Sequence, residues 1–302
     1  MKIAYIILAH KNPLQVVRLV QALLYKNTSF FIHIDKKTNI APFREALGKL
    51  TGADIRFVKR EDGRWGGLGI VQGTLNALRE VAAGQFEYAV LLSGLDYPLR
   101  SPAAIHDYFA EHEGLSFMEY FPVEGNLPGD WHTRLSQYHF SLFGKSFSYP
   151  SASQSLQRRA LNAVLSLRFT LPRQYSRPVK YYGGSQWWCL SKAAIGYVLK
   201  FIGQQPGFLA FHKYTKLIDE IFFQTILLNE PGETFRKQIV NDNLKYIEWT
   251  RPKPRPAVFT EGDFTLLMNS GKLFARKFDV DKDPVILELL DKEIYGKANS
   301  LT

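Results

Sequence analysis

The sequence lacks a second cysteine. Cys189 is the only cysteine among 302 residues, and it lies in an apolar run. A single cysteine forms no internal disulfide, which is typical of a reducing compartment, so we expect a cytoplasmic protein. The apolar residues 1–10 form too short a run to span a membrane and are followed directly by polar residues. They predict a first buried strand rather than a signal peptide.

Several cofactor-binding signatures are also missing. The turn after the first strand, His10–Pro13, contains no glycine, which argues against a dinucleotide-binding loop. The sequence has no P-loop, no Gly-x-Ser-x-Gly nucleophile elbow, no zinc-type ligand cluster and no nucleic-acid-binding motif. We therefore expect neither an NAD enzyme nor a P-loop enzyme, and no nucleic-acid partner.

Positive charge, by contrast, is in excess. The chain carries 38 Lys+Arg against 28 Asp+Glu, a formal net charge of +10. Such an excess favours an anionic partner, which a nucleotide, a nucleic acid or an anionic membrane surface would each provide. Aromatic residues reach 14%, and they suit both a sugar-binding cleft and a large core.

Strands and helices alternate over roughly the first 110 residues, from a strand at 3–9 to the apolar run 88–92. This alternation predicts an α/β fold with a mostly parallel central sheet flanked by helices, in which ligands bind at the carboxyl ends of the strands. The loops expected at those ends are 10–12, 35–37, 60–67 and 93–100.

Acidic residues that could hold a metal ion are few at these ends. Asp96 follows the run 88–92 alone, and one carboxylate is a poor site for Mg²⁺ or Mn²⁺. It either belongs to a site or caps the next helix. Asp279, Asp281 and Asp283 form an acidic string, but they lie beside cations in a segment typical of the surface. We therefore predict no metal site.

Two other charged pairs admit a functional and a structural interpretation. Arg276 and Lys277 lie between apolar residues, where they would either bind phosphate or remain a solvated pair. Asp219 and Glu220 begin a predicted helix over 217–228. Asp219 is the expected cap or first-turn residue. Glu220 is either a general base, if it faces a cleft, or a first-turn acid that stabilises the helix.

Six short motifs, in this order, resemble the core-2/I-branching enzyme family of glycosyltransferases, which includes the peptide O-xylosyltransferases. They span nearly the whole chain and comprise His33–Asp35, Arg64–Gly67, Ser93–Leu99, Gly184–Ser191, Asp219–Thr225 and Phe274–Asp279. Animal members of the family carry a membrane anchor and many disulfides. The chain therefore looks like a shorter bacterial member.

The resemblance implies a GT-A-like fold and an inverting transfer from a UDP-sugar to a glycan hydroxyl, with a β-linkage in the product. It implies no divalent metal and no other cofactor. The family pattern assigns the base to Glu220, the ribose-binding carboxylate to Asp35 and the diphosphate-binding cations to Arg276 and Lys277. An inverting transfer needs such a base, and fixed cations can replace a metal in neutralising the departing UDP.

Further residues are expected to border the two substrates. On the donor side they are His10, Asn12, Trp65, Ser93, Asp96 and Ser185. On the acceptor side they are Glu119, Trp131 and Trp187. Asp96 would either orient sugar hydroxyls or tie down its own loop. For each tryptophan, the alternative interpretation is a structural residue of the hydrophobic core.

We expect a single domain over residues 1–302. Residues 1–121 would form the nucleotide-binding half, 122–182 an irregular excursion on the acceptor side, and 183–302 the catalytic and diphosphate-binding part. The basic stretch 151–182 is either a solvated lid or a peripheral contact with the inner face of a membrane.

The expected donor sugar is GlcNAc or xylose, and the expected acceptor is a free or lipid-linked glycan. The pathway would then be the synthesis of a bacterial surface glycan. The competing hypothesis is a transferase-like protein that has lost catalysis and binds a glycan or a nucleotide.

Overall fold

A seven-stranded sheet organises the fold. The computed structural model describes residues 1–124, 129–142, 145–151, 155–171, 173–251 and 256–296. Its strands are β1 (Ile3–Ala9), β2 (Thr28–Ile34), β3 (Asp54–Phe57), β4 (Tyr88–Ser93), β5 (Asp96–Pro98), β6 (Ser116–Met118), β7 (Phe121–Pro122), β8 (Tyr138–Leu142), β9 (Lys145–Tyr149), β10 (Tyr182–Gly183), β11 (Trp188–Ser191), β12 (Ile239–Val240), β13 (Lys245–Ile247) and β14 (Phe274–Arg276).

The central sheet has the strand order β12–β6–β11–β4–β1–β2–β3. Strand β1 pairs in parallel with β2 and β4, and β2 pairs in parallel with β3. Strand β11 runs antiparallel between β4 and β6. Continuous apolar strands such as β1 and β4 are typical of a sheet that is covered on both faces. The mostly parallel α/β fold predicted from the sequence is confirmed.

The described part of the chain contains twelve α-helices, and several of them cover the two faces of this sheet. They are α1 (Pro13–Leu23), α2 (Ala41–Gly48), α3 (Leu68–Ala82), α4 (Pro102–Glu111), α5 (Trp131–Ser136), α6 (Leu156–Ser166), α7 (Lys192–Gln204), α8 (Pro206–Phe211), α9 (Phe222–Leu228), α10 (Thr234–Gln238), α11 (Phe264–Met268) and α12 (Val285–Gly296). None of the helices in the described part of the chain has the length and apolarity needed to cross a membrane.

Alternate residues of β1 belong to two separate cores. Ile3, Tyr5 and Ile7 pack with residues of α1, α2, α4 and α12, whereas Ala4 and Ile6 pack with residues of α3, α7 and α9. Successive side chains of a strand point to opposite faces, so one apolar strand supports both layers.

A smaller three-stranded sheet has the order β13–β14–β5. Strand β14 runs antiparallel to β5, and this register places Arg276 opposite Asp96. Strand β13 runs parallel to β14 on the other side. Residues far apart in the chain thus meet beside the end of β4.

The chain around Asp219 differs from the predicted helix. Residues Ile218–Glu220 form a 3₁₀ turn, and α9 begins only at Phe222. Of the two positions predicted for Asp219, cap or first turn, the structure has the second: Asp219 lies in the first turn of the 3₁₀ segment, whose cap is Leu217, and the cap of α9 is Ile221. Leu217 donates its backbone N–H to Gly66 O at 2.9 Å and adopts a left-handed conformation with φ 52°. This tertiary contact interrupts the helical pattern.

The sequence analysis also missed two β elements. The Trp188–Ser191 segment is a fully buried strand in the central sheet, and β8 and β9 form an antiparallel hairpin within the excursion at 122–182. Residues 125–128, 143–144, 152–154 and 172 of that excursion lie outside the described residues. The division of the chain into three functional parts stays a prediction.

Gly184, in the loop from β10 to β11, provides a test of the close packing of that loop against Glu119. A Cβ at this position would lie 1.9 Å from the carbonyl oxygen of Glu119, so a side chain requires the backbone to shift. We expect Gly184→Ala to lower the free energy of unfolding by roughly 1–3 kcal/mol, measured by urea denaturation.

The matched control is Gly196→Ala, in α7. A Cβ at Gly196 meets no atom within 4 Å. Alanine suits a helix interior better than glycine, so we expect this variant to gain about 0.5–1 kcal/mol. Equal unfolding curves for the two variants would show that the approach of Gly184 to Glu119 is not a constraint.

Candidate active site

A cleft of ≈ 520 Å³ lies at the carboxyl ends of β1, β2 and β4, where a parallel α/β sheet is expected to bind its ligand. Its lining brings together six of the residues that the sequence analysis placed at the donor or acceptor: His10, Asp35, Trp65, Ser93, Trp187 and Arg276. These residues come from separate parts of the chain, and the sheet topology alone unites them.

Asp35 presents one free carboxylate oxygen at this cleft. Its Oδ1 accepts a hydrogen bond from the backbone N–H of Lys37 at 2.8 Å, whereas Oδ2 has no donor among the described residues. Arg60 donates to the carbonyl oxygens of Ile34 at 3.0 Å and of Asp35 at 2.6 Å, which fixes the loop. A Cβ on Gly63 would lie 2.7 Å from Oδ2. The carboxylate is therefore held in place, with an acceptor ready for a ligand hydroxyl.

The two histidines near the cleft differ in role. His33 Nε2 accepts the backbone N–H of Glu61 at 2.9 Å, which anchors the loop after β3. His10 lines the cleft. Burial lowers the pKa of His10, and Lys11 and Arg276 lower it further, although Asp35 opposes them. His10 is thus neutral at pH 7, and it suits hydrogen bonding better than charge pairing.

Asp96 is completely buried and is bound by two cations. Lys245 donates to its Oδ2, and Arg276 donates to its Oδ1 at 3.1 Å. Ser93 contributes its hydroxyl at 2.7 Å and its backbone N–H at 3.0 Å. Burial by itself would raise the pKa of Asp96, but Lys245 and Arg276 more than offset it and the pKa is lowered. The sequence analysis gave Asp96 two alternative roles, to orient sugar hydroxyls or to tie down its own loop. These contacts fit the second role.

Lys245 and Arg276 also border the indole of Trp187. The Lys245 ammonium lies 4.0 Å and the Arg276 guanidinium carbon 4.6 Å from the ring centroid. Burial lowers the pKa of Lys245 to about 8, against the effect of Asp96, so this lysine remains charged at pH 7. Trp187 is only 6% exposed. It therefore forms the wall that positions both cations, besides lining the cleft.

Lys277 and Asn12 lie beside the cleft without lining it. The Lys277 ammonium has no hydrogen-bond or ion-pair partner among the described residues, and burial together with Arg276 and Lys11 lowers its pKa. Asn12 donates to Asp279 and to Asp281, both at 3.2 Å. Its amide is thus engaged with the acidic string, which sequence analysis assigned to the surface.

Glu220 forms an ion pair that the sequence analysis did not foresee. Its Oε2 accepts from Arg134 at 2.7 Å. Arg134 also binds Asp130 at 2.6 Å, and Asp130 binds Lys216 at 2.8 Å. Burial raises the pKa of Glu220, and Arg134 opposes that rise without cancelling it. A carboxylate whose pKa is raised is a stronger base than a free glutamate.

Two segments that line the cleft also contact the Glu220 turn. The Glu220 carbonyl accepts the backbone N–H of Gly184 at 2.9 Å, two residues before Gln186 in the cleft wall. On the other side, Leu217 contacts Gly66, next to Trp65 in the cleft. The backbone of the Glu220 turn thus adjoins two segments that line the cleft, although Glu220 itself is not part of the lining.

Asp219, by contrast, is buried. Burial and the adjacent Glu220 raise its pKa to about 7, and its Oδ1 has no hydrogen-bond partner among the described residues. The pKa of Asp219 is therefore raised by burial without a compensating hydrogen bond at Oδ1 from any described residue. Of the two adjacent acids, Glu220 is the one that is partly exposed and paired with a cation.

The remaining predicted residues surround the Glu220 turn. Trp131 packs against Phe121 with ring centroids 4.9 Å apart and lies under the Arg134 guanidinium at 3.9 Å. Ser185 accepts the backbone N–H of Trp187 at 3.3 Å through its hydroxyl. The Glu119 side chain is exposed. Trp131 therefore orients Arg134, besides any contact it makes with a ligand.

The arrangement separates two chemical functions. Fixed cations with an aromatic wall lie at the cleft, suited to a diphosphate. A carboxylate of raised pKa, Glu220, belongs to a turn that adjoins the cleft wall, and it is suited to proton abstraction. Sequence analysis missed Arg60, Arg134 and Lys245, because a single cation within a mixed stretch carries no local signal of its partner.

Comparisons with known proteins identify the family to which the chain is similar. The family model described as "Branch: Core-2/I-Branching enzyme" matches residues 3–268. The chain is 24% identical over 318 residues to xylosyltransferase 2 of Rattus norvegicus and 25% over 319 residues to that of Homo sapiens, with 98% of this chain and 34% of the relative covered in each case. The chain thus spans about a third of the length of the curated relatives it matches.

Other relatives are more distant. Xylosyltransferase 1 of Canis lupus familiaris is 22% identical over 321 residues, covering 98% of this chain and 31% of the relative. Among solved structures, 4-diphosphocytidyl-2C-methyl-D-erythritol synthase from Anaerococcus prevotii aligns with a TM-score of 0.33 and 12% identity, covering 67% of this chain and 75% of that chain.

The buried Asp96 cluster gives a stability test. Asp96→Asn leaves Lys245 and Arg276 without their shared counter-ion, so we expect the free energy of unfolding at pH 7 to fall by about 3–5 kcal/mol. The control is Glu45→Gln, which removes the exposed pair of Glu45 with Lys49 at 3.0 Å. That variant should change the free energy by less than about 1 kcal/mol.

The pH dependence of the same variant checks the cause. The pKa of Asp96 is lowered in the folded protein, so its contribution is present above the unfolded pKa of about 4 and is lost as the pH falls through the folded pKa. The difference in unfolding free energy between the wild type and Asp96→Asn should therefore shrink under acidic conditions. A difference that stays constant with pH would contradict a charged Asp96.

Proposed function

The chain belongs to the core-2/I-branching enzyme family of glycosyltransferases, and we propose that it transfers a sugar from a UDP-sugar in the cleft to a hydroxyl of a glycan acceptor. One observation carries the proposal: a carboxylate with a free oxygen, Asp35, and a fixed cation, Arg276, face the same cleft. A nucleoside diphosphate carries both ribose hydroxyls and negative charge on one molecule.

In this proposal the nucleoside lies between the loops after β1 and β2. The free Oδ2 of Asp35 accepts the ribose hydroxyls. Trp65 is 76% exposed and lines the cleft, which leaves its ring available to stack on the base or the sugar. His10, kept neutral, adds a hydrogen-bonding group.

Arg276 and Lys277 neutralise the diphosphate. As the bond from the anomeric carbon to the UDP oxygen breaks, that oxygen gains negative charge, and a cation already in place stabilises it without reorganisation. Arg276 is shared with Asp96, whereas Lys277 is free of protein partners among the described residues. In this proposal Lys277 is therefore the cation that no described carboxylate of the protein already engages.

Glu220 is the proposed base. It takes the proton of the acceptor hydroxyl while that oxygen forms its bond to the anomeric carbon, opposite the departing UDP, so the anomeric configuration inverts and a β-linkage results. Arg134 holds the carboxylate in one position. The raised pKa supports the role, because a base works best when its pKa approaches the working pH.

Metal independence is part of the proposal. Asp96, the carboxylate at the end of β4, is already engaged by Lys245, Arg276 and Ser93. Asp279 is engaged by Lys11 at 2.7 Å. The kinship with xylosyltransferases supports xylose or GlcNAc as the donor sugar. A role in bacterial surface-glycan synthesis stays a prediction that rests on the single cysteine.

The alternative is a protein that keeps the fold and the nucleotide site but has lost catalysis. Slow hydrolysis of a UDP-sugar by the pure protein separates the two functions, because only an active site activates the donor. UDP binding without hydrolysis or transfer, over a screen of donors and acceptors, would favour the binding protein.

Replacement of the base gives the sharpest test. We expect Glu220→Gln to lose transfer by on the order of a hundredfold, because the amide cannot accept the proton. UDP binding, measured by calorimetry, should persist, since Glu220 does not line the cleft. Near-normal turnover would remove Glu220 from the mechanism.

Asp219→Asn is the matched control for that variant. Its amide resembles the protonated acid in size and charge, and Asp219 is buried with no proposed contact to either substrate, so most of the transfer activity should remain. Wild-type transfer should rise with pH through the pKa of Glu220, since the base must be ionised. This acidic limb should be absent from the residual activity of Glu220→Gln.

The phosphate site is tested by Lys277→Met, titrated with UDP in EDTA. We expect wild-type binding to survive the chelator and the variant to bind roughly tenfold more weakly, because one charge-assisted contact is lost. Lys282→Met, on a lysine whose side chain lies farther along the acidic string, is the control and should bind as the wild type. Wild-type binding that requires Mn²⁺ would contradict the metal-free site.

A further inference from the structure

Helix α6 packs no fully buried residue against the protein. It runs over Leu156–Ser166, and every one of its residues is at least partly accessible. Three large apolar side chains stand out: Leu156 is 80% exposed, Val164 63% and Leu167, its C-cap, 88%. Exposure of this degree in successive turns is unusual, because a surface helix ordinarily turns its apolar face to the core.

The exposed apolar residues form one stripe. Leu156, Ala160, Ala163, Val164 and Leu167 follow the spacing i, i+4, i+7, i+8 and i+11, which places them on a single helical face. All five are exposed. The helix is therefore amphipathic, with its most accessible apolar face directed away from the protein.

The opposite face is anchored. Asn162 donates to Ser151 O and accepts from Ser151 N, both at 3.1 Å, next to the end of β9. The guanidinium of Arg158 lies 5.0 Å from the centre of the Phe147 ring. Leu161 and Leu165 are partly buried. The outward direction of the stripe is thus set by contacts on its other side.

Positive charge borders the stripe. Arg159 and Arg168 lie on its two sides by helical spacing, and neither forms an ion pair within the described part of the chain. The sequence around them carries Lys and Arg but neither Asp nor Glu at any position from 131 to 218. The surface of α6 therefore combines an apolar stripe with flanking cations. It belongs to a stretch of sequence, residues 131–218, that contains no acidic residue.

We propose that α6 is a membrane-docking helix that binds an anionic lipid bilayer. The stripe enters the boundary between headgroups and acyl chains, while Arg159 and Arg168 remain at the lipid phosphates. Two copies of this chain would bring like charges together, which disfavours a symmetric dimer through the same face. A nucleic acid would use the cations but leave the leucines exposed.

Helix α6 and Arg134, the residue that contacts the proposed base Glu220, both lie in the excursion at 122–182. Helix α5 supplies Arg134, which holds Glu220, and the hairpin β8–β9 leads from α5 towards α6. If the proposed transferase function holds, the membrane and the acceptor side belong to one part of the chain. A lipid-linked glycan is then the acceptor class that this arrangement suits.

Vesicle co-sedimentation tests the docking directly. The full chain is mixed with vesicles of phosphatidylcholine alone or with about a third phosphatidylglycerol. We expect binding to the anionic vesicles that weakens with added salt. Val164→Asp combined with Leu167→Asp should reduce that binding at least tenfold, because both changes place charge in the stripe.

The control for the stripe is Leu14→Asp combined with Leu266→Asp, which adds the same charge at exposed leucines elsewhere (76% and 42%). It should bind vesicles as the wild type does. Thermal unfolding and UDP binding of both double variants should match the wild type, so that lost docking is not mistaken for lost folding or for failure of the donor site.

A second pair of variants isolates charge. Arg159→Gln with Arg168→Gln should lower partitioning on the order of 30-fold, while Lys26→Gln with Arg79→Gln should have a much smaller effect. Absence of binding to anionic vesicles overturns the proposal, as does equal loss in the stripe variant and its control. Retention of RNA by the wild type without lipid binding would assign the surface to nucleic acid instead.

Discussion

A buried carboxylate between two cations constrains the whole site. Taking Asp96 out of water costs several kcal/mol, so it can stay charged only because Lys245 and Arg276 reach it from β13 and β14. Those strands come from the C-terminal third of the chain, whereas Asp96 follows β4. The ion cluster therefore joins the two ends of the fold at the edge of the cleft. Two cations on one carboxylate also leave one positive charge uncompensated, and that surplus is directed to where a diphosphate is proposed to bind.

Charged groups also share their partners around Glu220. Its only cationic partner in the described structure, Arg134, is itself shared with Asp130, and Asp130 is shared with Lys216. Because Arg134 divides its charge between two acids, it positions Glu220 without suppressing its basicity. Burial then decides the direction, and the pKa of Glu220 rises. Asp219, one residue earlier, forms no ion pair within the described part of the chain, and burial together with Glu220 raises its pKa to about 7. Adjacent acids thus acquire different surroundings, and only Glu220 is paired with a cation.

Local patterns predicted the layers of the fold well. The runs that became β1, β2 and β4 are mostly apolar, and α1, α3 and α7 carry helical spacing, so the type of each element could be predicted before any contact was known. The 3₁₀ turn at Ile218–Glu220 could not be predicted in this way. The hydrogen bond from Leu217 to Gly66 that interrupts the helix joins residues far apart in the sequence. Asp35, Trp65 and Arg276 were recognised through short motifs. Arg134 and Lys245 were missed, since an isolated cation gives no sign of which distant carboxylate it will neutralise.

The excursion at 122–182 shows why residues without a local motif can still be functional. In the sequence it is a basic, aromatic stretch with two interpretations, a lid or a membrane contact. The structure separates its parts: α5 faces inward and places Arg134 beside Glu220, whereas α6 turns an apolar stripe outward. A helix that served only as a cover would gain stability by turning Leu156, Val164 and Leu167 towards the protein, at about 25 cal/mol per Å² of apolar surface buried. Because these side chains point outward, their apolar surface stays in water. Insertion into a bilayer would bury it.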